Sequence, residues 1–103
     1  MFLIYMNINF KNKNVLITGG SRGIGRELVS TFTNLKANVV YTSTKDLEFN
    51  NKKSVDTFLD KIKNLSFDVC INNAGVNINN NFCDIKDVDW NSIINVNLTG
   101  CYK

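Results

Sequence analysis

A chain of 103 residues, 44% hydrophobic and 20% charged, has the balance of one soluble globular domain, with no room for a second of ordinary size. Its net charge of +3, spread over scattered lysines, is too mild for a nucleic-acid surface. With no histidine, and with Cys70, Cys83 and Cys101 forming no Cys-x-x-Cys pair, the usual zinc patterns and the commonest general base are excluded; no metal site is expected, and the thiols read as free in a reducing compartment.

The opening "MFLIYM" is apolar but too short to cross a bilayer, and it lacks the basic start and small-residue cleavage site of a signal peptide. No membrane segment is expected, and a cytoplasmic location follows as the default. Met6 opens an ordinary lead-in, so residues 1–5 are read as the product of an upstream start codon. Residues 1–13 form a lead-in to a domain at 14–103.

"NVLIT" at 14–18 is a short apolar, β-branched run that stops at glycine, the pattern of a buried parallel strand. Ile24, Leu28, Phe32 and Leu35 then recur at helical spacing and predict one buried face of a helix ending near Leu35. "ANVVYT" at 37–42 reads as a second strand, completing a βαβ unit. "SVDTFLDKIKN" at 54–64 is the clearest helix, with Ser54 as its expected N-cap and Val55, Phe58, Leu59 and Ile62 on one stripe. "FDVCINNAG" at 67–75 is a further strand ending in a turn, followed by a polar loop. A last helix is capped by Asp87 or Asp89 and carries Trp90, Ile93, Ile94 and Leu98 as its apolar face. Asparagine supplies 18 residues and proline none, so a lone asparagine match means little and only runs and spacings count.

The chemistry-bearing stretch is Thr18-Gly19-Gly20-Ser21-Arg22-Gly23-Ile24-Gly25, where strand hands over to helix. Gly19 permits a sharp turn off the strand, Gly23 close approach of a ligand, and Gly25 tight packing of helix on strand. Free N–H groups of the helix's first turn, with the helix dipole, make a site for a pyrophosphate. About 20 residues beyond such glycines, NAD binders place an acid for the ribose hydroxyls. Ser43 stands there instead, followed by Thr44 and Lys45. Hydroxyls and cations accept a 2′-phosphate that an acid would repel, and Arg22 is placed to reach the same group. NADP is therefore the expected cofactor and NAD the second candidate, the latter if Asp46 serves the ribose.

Two further motifs follow in order: "INNAG" at 71–75 and "NVNLTG" at 95–100. Together with the glycine ladder they closely resemble the short-chain dehydrogenase/reductase family over residues 14–103, nearest to its 3-oxoacyl-[acyl-carrier-protein] reductases. The resemblance implies an α/β Rossmann-like fold, a parallel sheet with flanking helices, of which the chain holds the N-terminal part of a truncated doubly wound domain. It places Gly19, Ser21, Arg22, Gly23, Ile24 and Gly25 in a phosphate-binding loop, and Asn73, Ala74 and Gly75 beside the cofactor ribose. It assigns Asn97 as the active-site asparagine, whose backbone carbonyl holds a water in a proton relay. Hydride transfer between nicotinamide and a small carbonyl or alcohol substrate is the implied reaction.

The sequence departs from that family twice. Between the second strand and the helix at 54–64 only "STKDLEFNNKK" is available, too little for the usual crossover helix. "LEFN" at 47–50 would supply a short third strand, with Glu48 in the place of an adenine-contacting aspartate. The family's serine and Tyr-x-x-x-Lys, which act further downstream, have no counterpart before Lys103. Tyr102-Lys103 has the wrong spacing. The chain is thus read as carrying most of a cofactor site and little of a catalytic one. An open strand edge at 68–72 would favour self-association or a complementing chain, and the fold is expected to be marginal. The alternatives to an oxidoreductase part are a non-catalytic dinucleotide-binding module or an inert gene remnant; neither nucleic acid nor membrane is an expected partner.

Overall fold

In the computed structural model, which describes residues 8–103, three strands and four helices follow one another as the sequence periods require. β1 (Asn14–Ile17), α1 (Gly23–Asn34) and β2 (Asn38–Tyr41) make the first unit, and α2 (Lys52–Ile62) leads to β3 (Val69–Ile71). A 3-10 turn (Phe82–Asp84) precedes α3 (Asp87–Ile94), which runs through a π-helical turn (Asn95–Thr99) into α4 (Gly100–Tyr102). The lead-in reading for residues 1–5 lies outside the described residues.

The sheet is parallel throughout, in the order β2-β1-β3, with Val15 opposite Val39 on one side and Val69 on the other. β1 is central because it alone can be covered on both faces. Val15 and Ile17 are fully buried, and Leu16, pointing to the opposite face by strand alternation, is nearly so. Leu16 meets Val55 and Phe58 of α2 together with Leu47, with Val40, Phe49, Ile62 and Phe67 around them. α1 packs against β1 and β2, and near its end Phe32 meets Phe10 edge to face at 5.0 Å. Burying four core side chains of this size stabilises the α2 face by several kcal/mol at about 1.5–3 kcal/mol each.

Five local expectations are corrected. No strand forms over 47–50; Leu47 is drawn into the core beneath the sheet, which leaves β2 an edge strand among the described residues. α2 begins two residues before Ser54, and Asn51 is its cap, accepting from the Ser54 N–H at 3.1 Å. Ile24 does not join the buried face of α1 and is 76% exposed. In the last helix Val96 and Gly100 face inward, whereas Trp90 and Leu98 are more than half exposed. Neither Asp87 nor Asp89 caps α3; Lys86 holds that position without a side-chain bond, and both aspartates sit in the first turn, where the helix dipole favours them.

α1 ends in a left-handed residue that is not glycine. Lys36 has φ +72°, its N–H reaches the Thr33 carbonyl and that of Ala37 the Phe32 carbonyl, both at 3.0 Å. This is the Schellman arrangement with lysine where glycine is usual.

Candidate functional site

The loops that leave the C-terminal ends of β1, β2 and β3 surround a cleft of about 940 Å³, at the upper end of ligand-pocket size. This is the end of a parallel sheet at which open α/β folds take their ligands. From the first loop Gly19, Ser21, Arg22, Gly23 and Ile24 line the cleft; the second adds Ser43, Thr44, Lys45 and Glu48, and the third Asn73, Ala74 and Gly75. Two predicted residues lie off its wall: Gly25, buried beneath the first loop, and Asn97.

The first loop owes its path to two left-handed glycines, Gly19 at φ +66° and Gly23 at φ +57°. A Cβ at Gly23 would meet no protein atom within 4 Å, so the space before it is open to a ligand. A Cβ at Gly25 would strike the Gly19 carbonyl oxygen; the first turn of α1 is therefore seated directly on the loop. Arg22, the N-cap, makes no side-chain capping bond, and the first turn contains no acid. The leading N–H groups are left to an outside acceptor, and the dipole favours an anion there.

Threonines tie the three loops together. Thr18 is buried, and its Oγ1 accepts from the N–H groups of Asn73 at 3.1 Å and Ala74 at 3.0 Å. Asn73 Nδ2 returns two bonds, to the carbonyls of Thr18 at 3.1 Å and Gly19 at 3.0 Å. Thr42, 2% exposed, accepts from the Gly19 N–H at 3.2 Å, and the Thr42 carbonyl accepts from Gly20 at 2.8 Å. Thr18 and Thr42 were both readable in the sequence as strand-end threonines. Their signal was only a hydroxyl placed where a strand stops and its N–H partners run out.

Asn97 sits within the π-helical turn. Its Oδ1 accepts from the Val76 N–H and its Nδ2 donates to the Val76 carbonyl, each at 2.8 Å. Val76 carried no signal in the sequence, because the partner is a backbone. Gly75 passes so close that a Cβ would lie 3.2 Å from Asn97 Oδ1. The Asn97 amide thus binds the third loop through both its ends, and its own carbonyl is approached by the Cys101 thiol at 3.5 Å.

In the second loop Glu48 is the single carboxylate on the cleft wall among the described residues, and its Oε1 accepts from the Asn50 N–H at 3.2 Å. Asn50 Nδ2 donates to Ser92 Oγ at 2.9 Å, and Phe49 lies against Gly100, where a Cβ would come within 2.6 Å of the ring. These contacts draw the loop across to α3 and α4. Asp46, the candidate acid for a ribose, lines a separate small cavity beside α2 and not the cleft. Its carboxyl is held below the ordinary range, first by the Ser43 N–H and then by the Ser43 hydroxyl, with Lys61 and Lys45 adding to the effect. No salt bridge among the described residues ties down Arg22 or Lys45, the two cations on the cleft wall.

A Tyr-x-x-x-Lys spacing does occur once, at Tyr41 and Lys45. Tyr41 ends β2, packs beneath Gly20 and is absent from the cleft wall. The two residues straddle a strand end and do not share a helix face, so the pair cannot act as a proton-transfer couple.

The family model for short chain dehydrogenases matches residues 44–103. The chain belongs to the short-chain dehydrogenase family. It is 31% identical to the 3-oxoacyl-[acyl-carrier-protein] reductase FabG of Escherichia coli, over 93% of this chain and 48% of the relative. Among solved structures, a short chain dehydrogenase from Leptospira borgpetersenii with bound NAD+ superposes with a TM-score of 0.78 at 30% identity, over 91% of this chain and 43% of that one. ElxO with NADPH bound gives a TM-score of 0.73 at 30% identity, over 87% and 46%. This short-chain dehydrogenase chain therefore spans about half the length of the curated relatives it matches. No helix among its described residues is long and apolar enough to cross a membrane.

Proposed function

We propose that the chain forms the dinucleotide-holding part of a cytoplasmic oxidoreductase, with NADP the preferred cofactor and NAD the lesser one. The observation that carries this reading is the uncapped, acid-free start of α1, opening into a cleft whose cations Arg22 and Lys45 make no salt bridge among the described residues. Ser21, Gly23 and Ile24 would hold the pyrophosphate through backbone N–H groups, which cost no rearrangement because Gly19, held by Thr42, and Gly25, seated beneath the loop, already set its path. Arg22, Thr44 and Lys45 would receive the 2′-phosphate, with Ser43 shaping the turn that presents them, Glu48 would receive the adenine, and Asn73, Ala74 and Gly75 the nicotinamide-side ribose. When bound, the cofactor supplies the hydride of a carbonyl–alcohol interconversion.

Asn97 works at one remove in this reading. By clamping Val76 it fixes the loop that carries Gly75, while its carbonyl, which accepts from the Cys101 thiol, keeps a second lone pair for a proton-carrying water. The acid–base pair and the substrate pocket would come from residues other than these 103, in the same polypeptide or in a complementing chain joined along the β3 edge. The homology to 3-oxoacyl reductases supports a small carbonyl compound as the substrate class.

Calorimetric titration with NADP+ and NAD+ tests the binding half, with NADP+ expected several-fold tighter. Reductase activity gained on adding a polypeptide that bears the Tyr-x-x-x-Lys helix tests the rest. Binding without that gain would leave a dinucleotide-binding module, and no binding at all would leave an inert remnant.

A further inference from the structure

The turn that follows β2 is closed by five hydrogen bonds, and a single carboxylate oxygen accepts two of them. Asp46 Oδ2 takes both the N–H and the hydroxyl of Ser43, each at 3.0 Å. The Ser43 oxygen in turn accepts from the Lys45 N–H at 3.2 Å. The Ser43 carbonyl accepts from Asp46 at 3.1 Å and from Leu47 at 2.9 Å. At its two ends the turn is anchored by the buried Thr42 and Leu47.

The turn has two sides. Ser43 and Thr44 look onto the main cleft, Asp46 looks onto a cavity of about 290 Å³ shared with Lys53, Thr57 and Lys61 of α2, and Lys45 lines both. Asp46 therefore grips the turn from behind. Ser43's hydroxyl is committed both as donor and as acceptor inside the turn, which leaves Thr44 and Lys45 as the groups free to meet an anion beside Arg22.

We propose that Asp46 is a positioning residue for recognition of a ribose 2′-phosphate: by holding Ser43 from the far side, it keeps Thr44 and Lys45 presented to the cleft without touching the ligand itself. The inference rests on the dinucleotide reading above. Charge alone predicts the reverse, since a carboxylate near a phosphate opposes it. Geometry decides against that: Oδ2 is doubly satisfied, the side chain faces away from the cleft, and the Lys45 and Lys61 cations lie close enough to act on it.

Calorimetric titration of the full chain with NADP+, NAD+ and adenosine 2′,5′-bisphosphate separates the outcomes. Asp46→Ala is expected to weaken NADP+ and the bisphosphate by about ten-fold, the order of one charge-assisted contact, and NAD+ by less than about two-fold. Asp46→Asn, whose Oδ1 can still accept both Ser43 bonds, is expected to stay within about two-fold of wild type for all three ligands. Amide exchange at Ser43 should quicken in the alanine variant and not in the asparagine variant, with or without ligand. If Asp46→Ala fails to fold, Ser43→Ala, which removes one of the two bonds, should still lower NADP+ affinity relative to NAD+.

Tighter NADP+ binding in both Asp46 variants would overturn the proposal in favour of charge repulsion. Equal weakening of NADP+ and NAD+ would overturn it in favour of a merely structural turn. Wild-type protein that prefers NAD+ would remove the 2′-phosphate preference on which the proposal depends. Wild-type protein that binds none of the three would overturn the dinucleotide reading itself, and this proposal with it.

Discussion

The two ends of the chain treat the same kinds of residue in opposite ways. In β1, Val15 and Ile17 are fully buried, whereas in α3 and the turns that continue it Trp90, Leu98 and Tyr102 stand 58%, 66% and 87% exposed. The first region finds all its cover within these residues: α1 on one face, α2 on the other, a strand on each side. The second touches the rest of the molecule mainly along one line, where Val96 and Gly100 face inward and Phe49 and Asn50 reach across. Apolar sequence alone does not make a core; it becomes one where opposing surfaces are available within the fold.

The sharpest way to break this comparison is to truncate one side chain in each region and follow urea unfolding. Ile17→Ala should cost about 3 kcal/mol, since the cavity would be enclosed on every side. Next in size, Asn97→Ala should cost about 1–2 kcal/mol by removing both bonds to Val76, with faster amide exchange at Val76. An equal rate there would mean that the clamp does not hold the third loop.

Smaller effects sharpen the same contrast. Lys36→Gly should raise stability by about 1 kcal/mol, because it relieves a left-handed lysine without removing either bond that closes α1. Trp90→Ala should change stability by less than about 0.5 kcal/mol despite the size of the side chain. A large loss would show that the outward face of α3 is covered in solution. The smallest effect belongs to Asp46. Its folded-state pKa lies below the ordinary value, so the associated stabilisation is present above the ordinary carboxylate pKa and is lost as pH falls through the lowered one. Wild type and Asp46→Asn should therefore converge in stability on acidification.

What could be read from sequence alone divides along local and long-range lines. The glycine ladder and the apolar runs of β1 and β2 were legible because each is decided by a few adjacent residues, and the stripe of α2 because Val55 and Phe58 repeat at helical spacing. The strand expected at 47–50 does not form, because Leu47 is claimed by a core built from residues on three other elements. Ile24 fits the helical period of α1 yet faces the cleft, since the first turn of a helix that ends at a ligand site has no core above it. Asn51 and Ser54 are both good capping residues, and the choice of Asn51 depends on where the loop delivers the chain. Of the site, the residues that line the cleft were readable from spacing. The clamps that hold them, Thr42 on Gly19, Asn97 on Val76 and Asp46 on Ser43, join groups that no periodicity connects.

The wide turn at Asn95–Thr99 makes the last helix lose step with itself. An ordinary helix advances about 100° per residue, so a stripe read at one end can be extrapolated to the other. Where a turn takes in an extra residue, that arithmetic slips, and the residues before and after it belong to different faces. Trp90, Ile94 and Leu98 look like one repeating stripe on paper, but the junction falls between the second and the third. Any designed replacement of this helix that restores a uniform pitch would rotate Gly100 away from Phe49 and carry Asn97 off Val76, so the irregularity itself is what keeps two distant contacts in phase.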